Sequence, residues 1–456
     1  MKLLILFGFK KTVFNFKKYM RIVIWFKNKA KSFDFFELGN SVILYYFFIF
    51  YFTSILFFFG VRGFLWENSA VYYKALFYLT LGLIFFAVGY YNRQTFFIAG
   101  RLPKFLRLES EWDFKKALWV FGVVFILGLG IKILRIFGGV YSYWQQNPWL
   151  QNSYFYSLLG IFDWLSYIAL IIAFTSYFYF KKNNDTRYYL WQKIAWGTFI
   201  LEMVYVLPSC NRTSVIMPII LYLILKSYFS RITWQQIVII ILGAIIVVFP
   251  LGNACRSPEI LRHYSLAGKP IAEKPIENTE DSLTYAKNAG NLIFDSIFSR
   301  IDQFTVFSRI VEMDEPLLYG KPLLNFFISL GPPRFIWKDK PIISGGGDFG
   351  HRSGLLAPDV KSTVGVTIVG DWYMNFGLAG IILGMFFMGM LFRLIYEYLI
   401  KRTNISFSGV MIYSILWLNI IKGMEDWIAP VYAGLVKIFI LLLIIHYFLI
   451  KHKGKS

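Results

Sequence analysis

Two short segments place a cysteine and an arginine at the end of an apolar block, Pro208-Ser-Cys-Asn-Arg212 and Gly252-Asn-Ala-Cys-Arg256. Two guanidinium groups can grip a pyrophosphate through parallel hydrogen bonds, which the point charge of a lysine does less well. The plainer alternative is that both arginines anchor helix ends to lipid phosphates. Further along, Leu330-Gly-Pro-Pro-Arg-Phe-Ile-Trp-Lys-Asp-Lys-Pro341 carries Arg334, Trp337, Lys338 and Lys340. Its paired prolines fix an extended turn that presents Arg334. The glycines at 345–347 let a backbone approach a ligand closely, and His351 and Arg352 follow in a polar stretch. The run Val369-Gly-Asp-Trp-Tyr-Met-Asn-Phe-Gly-Leu-Ala-Gly380 then brings Asp371 and Tyr373. Trp337, Trp372 and Tyr373 could stack on sugar faces, or serve as aromatic anchors at a membrane interface.

The elements that must hold these residues are long apolar blocks. Of 456 residues, 57% are hydrophobic and 16% charged, against about a quarter charged in soluble domains. The apolar content comes in unbroken stretches such as 41–60 and 431–450. Roughly 20 such residues at 1.5 Å each cross about 30 Å of hydrocarbon. Expected spans are 41–60, 73–91, 117–137, 157–180, 190–208, 213–230, 235–252, 369–395, 405–421 and 431–450. The chain therefore divides into a basic cytoplasmic segment (1–40), seven spans (41–252), a large outer loop (253–366), three spans (367–450) and a cytoplasmic tail (451–456). No signal-peptide pattern is present, because Lys10 and Lys11 end the first short apolar run.

Charge gives the orientation. With both termini inside, the inner segments hold 27 basic and seven acidic residues, a net +20, whereas 253–366 holds 13 of each. Nearly all of the chain's +21 thus falls on one side, as the positive-inside rule requires. Charge spread over alternate loops is a topology signal. It excludes the folded basic patch of a nucleic-acid binder.

Ionisable residues inside an apolar span are costly and mark function or helix pairing. Lys132, Arg135, Asp163, Glu202 and Lys437 all fall in the outer halves of their expected helices or near the outer ends. Snorkelling or pairing between helices, for example Lys132 with Asp163, is the structural alternative. In the outer loop, 291–313 reads as an amphipathic helix with Phe294, Ile297, Phe298, Ile301 and Phe304 on one face. Arg300 flanks that face and Arg309 follows. Such a helix lies on the membrane or caps the bundle. Cys210 and Cys255 are expected on one side, but nothing in the sequence fixes their separation for a disulfide.

The sequence resembles the oligosaccharide repeat-unit polymerases, the Wzy-type O-antigen polymerases. The resemblance rests on Pro-Arg-x-Ile-Trp-x-x-Lys-Pro at 333–341, on the acidic-x-Tyr-x-Asn-Phe-Gly run at 371–377, and on the short turn ending in Arg212. It is most specific over 319–380. It departs before Arg212, where relatives often carry Gly or Ser and this chain has Asn211.

The resemblance implies an all-α, GT-C-like polytopic protein of about ten transmembrane helices in a bacterial inner membrane, with the large loop periplasmic. It implies undecaprenyl-pyrophosphate-linked oligosaccharides as substrates, the lipid bilayer as surroundings, a chain-length regulator protein as a candidate partner, and no nucleotide sugar or other cofactor. Departure of a lipid pyrophosphate develops negative charge that arginines stabilise, a role that falls to Arg212, Arg256 and Arg334. A general base for the attacking hydroxyl falls to Asp371, with His351 second. Arg300, Arg309, Trp337, Lys338, Lys340, Arg352 and Tyr373 are candidate substrate contacts. No His, Cys or carboxylate cluster has metal-ligand spacing, so the expected reaction is metal-independent. An O-antigen ligase and a lipid-linked oligosaccharide flippase are the rival readings. The Pro-Arg-x-Ile-Trp stretch favours the polymerase, and the lack of a convincing internal repeat disfavours transport.

Overall fold

Long apolar blocks with few helix breakers satisfy their backbone groups within one segment, and in the structure they are helices. The computed structural model describes residues 34–59, 69–102, 108–109, 111–137, 162–207, 211–230, 232–254, 302–332, 336–337, 339–341, 345–356 and 363–450. The first half holds α1 (Leu38–Phe58), α2 (Ser69–Tyr91), α3 (Arg93–Arg101), α4 (Phe114–Phe137), α5 (Trp164–Lys182) and α6 (Tyr188–Val206). Next come α7 (Arg212–Phe229), α8 (Trp234–Ala254), α9 (Gln303–Met313), α10 (Asn325–Leu330) and α11 (Gly345–Arg352). The chain closes with α12 (Ile368–Tyr396), α13 (Phe407–Gly423) and α14 (Ile428–Leu449). Among the described residues there is no strand, only one isolated bridge from Trp112 to Ile450.

Every expected span overlaps one of these helices. Among the described residues, six helical segments are long and apolar enough to cross a membrane: Leu38–Phe58, α2, α4, α5, Ile368–Lys401 and α14. The segments Thr213–Phe229 and α13 are apolar but shorter. The described residues are therefore all-helical in their regular structure, and the chain is of polytopic membrane type.

The most extensive helix pairing among the described residues is α2 on α12, and glycine makes it possible. A β-carbon added at Gly89 would lie 2.1 Å from the Phe386 carbonyl oxygen, and one at Gly389 would lie 2.2 Å from that of Phe86. Where lipid replaces water, such close backbone approach supplies the packing energy that hydrophobic burial supplies elsewhere. Gly389→Ala is expected to destabilise the protein by about 1–3 kcal/mol, since backbone must move. Gly122 and Gly243 face open space, so alanine there is expected to be neutral or to stabilise by up to about 1 kcal/mol. Thermal unfolding of the detergent-solubilised variants separates the two classes, and equal melting of Gly389→Ala and wild type would refute the packing role.

At the end carrying the α1 N-terminus, polar groups lock the bundle. Asp34 accepts hydrogen bonds from Tyr396 Oη at 2.8 Å and Tyr228 Oη at 3.1 Å. Glu37 pairs with Arg393 at 2.6 Å and accepts from Tyr90 Oη at 3.0 Å. Residues just ahead of the expected span at 41 are thus packed into the bundle, with Phe36 and Leu38 buried.

Towards the opposite end, the ionisable residues of α4 and α6, with Asp163 just ahead of α5, pair across the bundle. Lys132 pairs with Glu202, and Arg135 pairs with Asp163. Pairing between helices is therefore observed, with partners exchanged relative to the Lys132–Asp163 example.

The amphipathic segment is described from Asp302 onward. Asp302 caps α9, accepting from the Thr305 N–H at 3.0 Å. Phe304 packs against Tyr72 and Phe57, and Phe307 against Tyr373. The helix thus caps the bundle. Phe294, Ile297, Phe298, Arg300 and Ile301 lie outside the described residues.

Candidate functional site

The Asp371–Gly377 run builds the site by breaking a helix. Gly377 takes φ 62°, ψ −145° inside α12, a region open almost only to glycine. A helix interrupted there leaves carbonyls just before the break without their usual partners. Those of Met374 and Asn375 accept instead from the N–H groups of Leu318 and Tyr319, each at 3.0 Å. The Asn375 side chain continues the pattern, its Oδ1 accepting from the Gly320 N–H at 3.1 Å. The segment 317–320 is thereby stitched onto α12.

Asp371 stands one turn before Asn375, with its side chain 1% exposed. One carboxylate oxygen accepts from Asn375 Nδ2 at 2.8 Å, the other from the Ile428 backbone N–H at 2.8 Å. Ile428 opens α14, so the carboxylate also sits at the positive end of that helix dipole. Two backbone bonds beside it, Thr367 N–H to Glu425 O and Ile368 N–H to Met424 O, each 3.1 Å, fix the start of α12 against the α13–α14 turn. Gly365 permits that approach, since a β-carbon there would lie 2.0 Å from the Glu425 carbonyl oxygen.

A cavity of about 390 Å³ opens over this junction, and Asn325, Asp348, Arg352, Asp371, Asp426 and Trp427 contribute polar groups to its lining. Arg352 is paired with Glu315, and the Trp427 indole N–H is buried without a hydrogen-bond partner. The surrounding chain desolvates Asp426 and raises its carboxyl above the ordinary aspartate range, with Lys422 pulling it back. Three carboxylates, one arginine and an uncommitted indole N–H make a chamber suited to neutral hydroxyl-rich ligands. Each carboxylate oxygen has a second lone pair to offer a hydroxyl. A second cavity of about 280 Å³ adjoins it, lined by Tyr78, Tyr373 and Phe349 among others, and shares Leu318 and Met374 as a wall.

Residues 291–429 match the family model described as "Putative O-antigen polymerase". Over that segment, a little under a third of the chain, the sequence is similar to the O-antigen polymerases. The segment takes in every residue lining the larger cavity except Pro430. No curated protein and no solved structure matches the chain.

Within this matched segment, the residues singled out from sequence take several places. Asp371 and Arg352 meet at the larger cavity, and Tyr373 lines the smaller one beside Tyr78. His351 is exposed at the end of α11 and lines neither cavity. Arg309 pairs with Glu312 and donates from Nε to the Ser353 carbonyl at 3.2 Å, holding the turn after α11. Lys340 reaches the Gly331 and Pro332 carbonyls at 3.1 and 3.2 Å, just past the C-terminus of α10. Trp337 lies against Gly331. Gly346 does bring backbone close, but to its own chain: a β-carbon there would meet the Val364 carbonyl at 2.9 Å.

Arg212 is the first residue of α7, whose N-cap Asn211 accepts from the Thr213 and Ser214 N–H groups. The Asn before Arg212 is thus a helix cap. Arg256, Arg300, Arg334, Lys338, Cys210 and Cys255 lie outside the described residues. Among the described residues, no group of three His, Cys, Asp or Glu side chains is placed to hold a metal.

Asn375 and Gly377 stand in the 369–380 run with no role evident from sequence, and Asp348, Asn325 and Trp427 join the cavity lining without a sequence signal. The Asp371/Asn375 spacing was the available signal, because residues four apart share a helix face.

Proposed function

We propose that the protein polymerises undecaprenyl-pyrophosphate-linked oligosaccharide repeat units by glycosyl transfer at the outer face of a bacterial inner membrane. The observation that carries this reading is the enclosure of the larger cavity by the family-matched segment, with a fixed carboxylate in its lining. In the proposed reaction a hydroxyl of the incoming repeat attacks the anomeric carbon at the lipid-linked end of the growing chain. The new glycosidic C–O bond forms as the bond to the pyrophosphate oxygen breaks. Asp371 takes the hydroxyl proton, held in place by Asn375 and the Ile428 N–H. The lipid pyrophosphate leaves with the electron pair, and Arg212, Arg256 and Arg334 are assigned to its developing charge. The acidic larger cavity is assigned to the hydroxyl-bearing acceptor, since three aspartates around one already paired arginine disfavour a pyrophosphate there.

The test is incubation of the purified protein with one synthetic lipid-linked repeat in vesicles without an ion gradient. A ladder of products is expected. Transfer only to an added lipid A core would replace this reading with a ligase. Movement of the repeat across the membrane without elongation would replace it with a flippase.

A further inference from the structure

The half-buried Lys437 belongs to neither cavity, and its partner shows what it does. Its Nζ bonds to the carbonyl of Ser329 in α10. Lys437 lies nine residues into α14, about 14 Å along the axis from Ile428. An independent marker agrees, because Leu318 and Tyr319 pair with the carbonyls of Met374 and Asn375, six and seven residues into α12. The segment from Leu317 to Leu330 therefore runs below the ends of two helices that are both long and apolar enough to span a membrane.

Backbone at that depth must be satisfied within the protein. Here it is satisfied by short-range bonds, Lys321 N–H to Leu318 O at 3.1 Å and Leu323 N–H to Gly320 O at 3.0 Å, and by lysines at the end of α10. An ammonium inside an apolar helix is expensive, and the Ser329 carbonyl gives it a reason to be there. The two sides of the segment differ. Leu318, Pro322 and Asn325 line the larger cavity. Leu324 and Phe327 are 61% and 68% exposed, at least as open as Ile440 on α14 at 53%.

We infer that Leu317–Leu330 is a re-entrant segment whose apolar side rests on acyl chains of the outer leaflet and whose other side walls the cavity. The inference rests on α12 and α14 spanning the bilayer with their N-termini outward, and it does not depend on the reaction. A lipid-linked substrate arriving through the leaflet meets this wall before it meets Asp371.

The test uses the full chain with Cys210→Ser and Cys255→Ser, and one environment-sensitive fluorophore attached at Leu324→Cys or Phe327→Cys. Val436→Cys on α14 is the lipid-facing control and Asp339→Cys the aqueous one. The labelled proteins are reconstituted in vesicles of phosphatidylcholine and phosphatidylglycerol. Iodide is expected to quench both segment probes roughly threefold less than the probe at 339, and shallow nitroxide lipids to quench them within about twofold of the probe at 436. Iodide quenching at either position as strong as at 339 overturns the inference. A second measurement needs no substitution: photoactivatable acyl-chain phospholipids are crosslinked to the wild-type chain and the adducts mapped by mass spectrometry. Adducts on 323–328 are expected, and labelling of α14 with none on that stretch would equally overturn it.

Discussion

Asp371→Asn is expected to abolish chain elongation while the protein still accumulates in the membrane. The carboxylate is held by two N–H donors, from Asn375 and Ile428. An asparagine offers one carbonyl oxygen where the aspartate offered two acceptors, so one donor is left facing an NH₂ group. That conflict costs about 1–3 kcal/mol of stability, a loss that leaves a bundle with this much burial folded. The chemical loss is larger. An amide cannot take the acceptor's proton, and removal of a general base lowers rates by about 10²–10⁴. Asn375→Ala separates the two contributions, because it keeps the basic group and removes only one orienting donor. Its expected loss is about tenfold, one lost hydrogen bond in the transition state. Product ladders made by purified variants at matched folded concentration are the readout. A ladder from Asp371→Asn as long as that of wild type would leave Asp371 as a cap for α14 and nothing more.

The reason Asp371 stood out in sequence differs from what the structure adds. An acidic residue opening an apolar block is visible in a list of residues. Its engagement with Ile428, 57 positions away, is a property of how α12 meets the α13–α14 turn. The same division runs through the whole chain. Helices were legible because hydrophobicity in blocks of about 20 residues forces one answer in a membrane. The capping role of α9 was half legible: the apolar periodicity pointed to an amphipathic helix, and only Tyr72, Phe57 and Tyr373 show what it covers.

Partner choice was not legible. Lys132 and Arg135 are three residues apart on α4, and either could face Asp163 or Glu202. Rotation of α4 against α5 and α6 decides, and rotation is set by packing. Gly377 was equally silent, because glycine is common in membrane helices and nothing in a single sequence separates a packing glycine such as Gly389 from one that breaks the helix. The glycines at 345–347 were legible as points of close approach, and Gly346 lines the larger cavity. What the sequence did not show is that the chain's own Val364 also packs against Gly346.

The paired charges between α4 and α6 carry the other large expected effect. Lys132 and Glu202 side chains are 12% and 4% exposed, and the ammonium also lies 4.5 Å from the centre of the Tyr205 ring. Glu202→Ala removes the carboxylate and leaves a buried cation, which costs about 3–5 kcal/mol where it cannot reach water. Lys132→Met leaves the complementary anion and is expected to cost a similar amount. The double variant Lys132→Met/Glu202→Leu removes both desolvation penalties and fills the space with apolar atoms. It is expected to fall within about 1 kcal/mol of wild type, because a buried pair and its hydrophobic replacement often come out even. Chemical unfolding in detergent gives the four corners of the cycle. Singles whose effects simply add in the double variant would mean that the two residues do not act as a pair. The ladder made by the double variant addresses function separately. If the four ionisable groups Lys132, Arg135, Asp163 and Glu202 serve to register α4, α5 and α6, the stable double variant elongates glycans as wild type does. If it is stable and inactive, the charges belong to the substrate path and not to the scaffold.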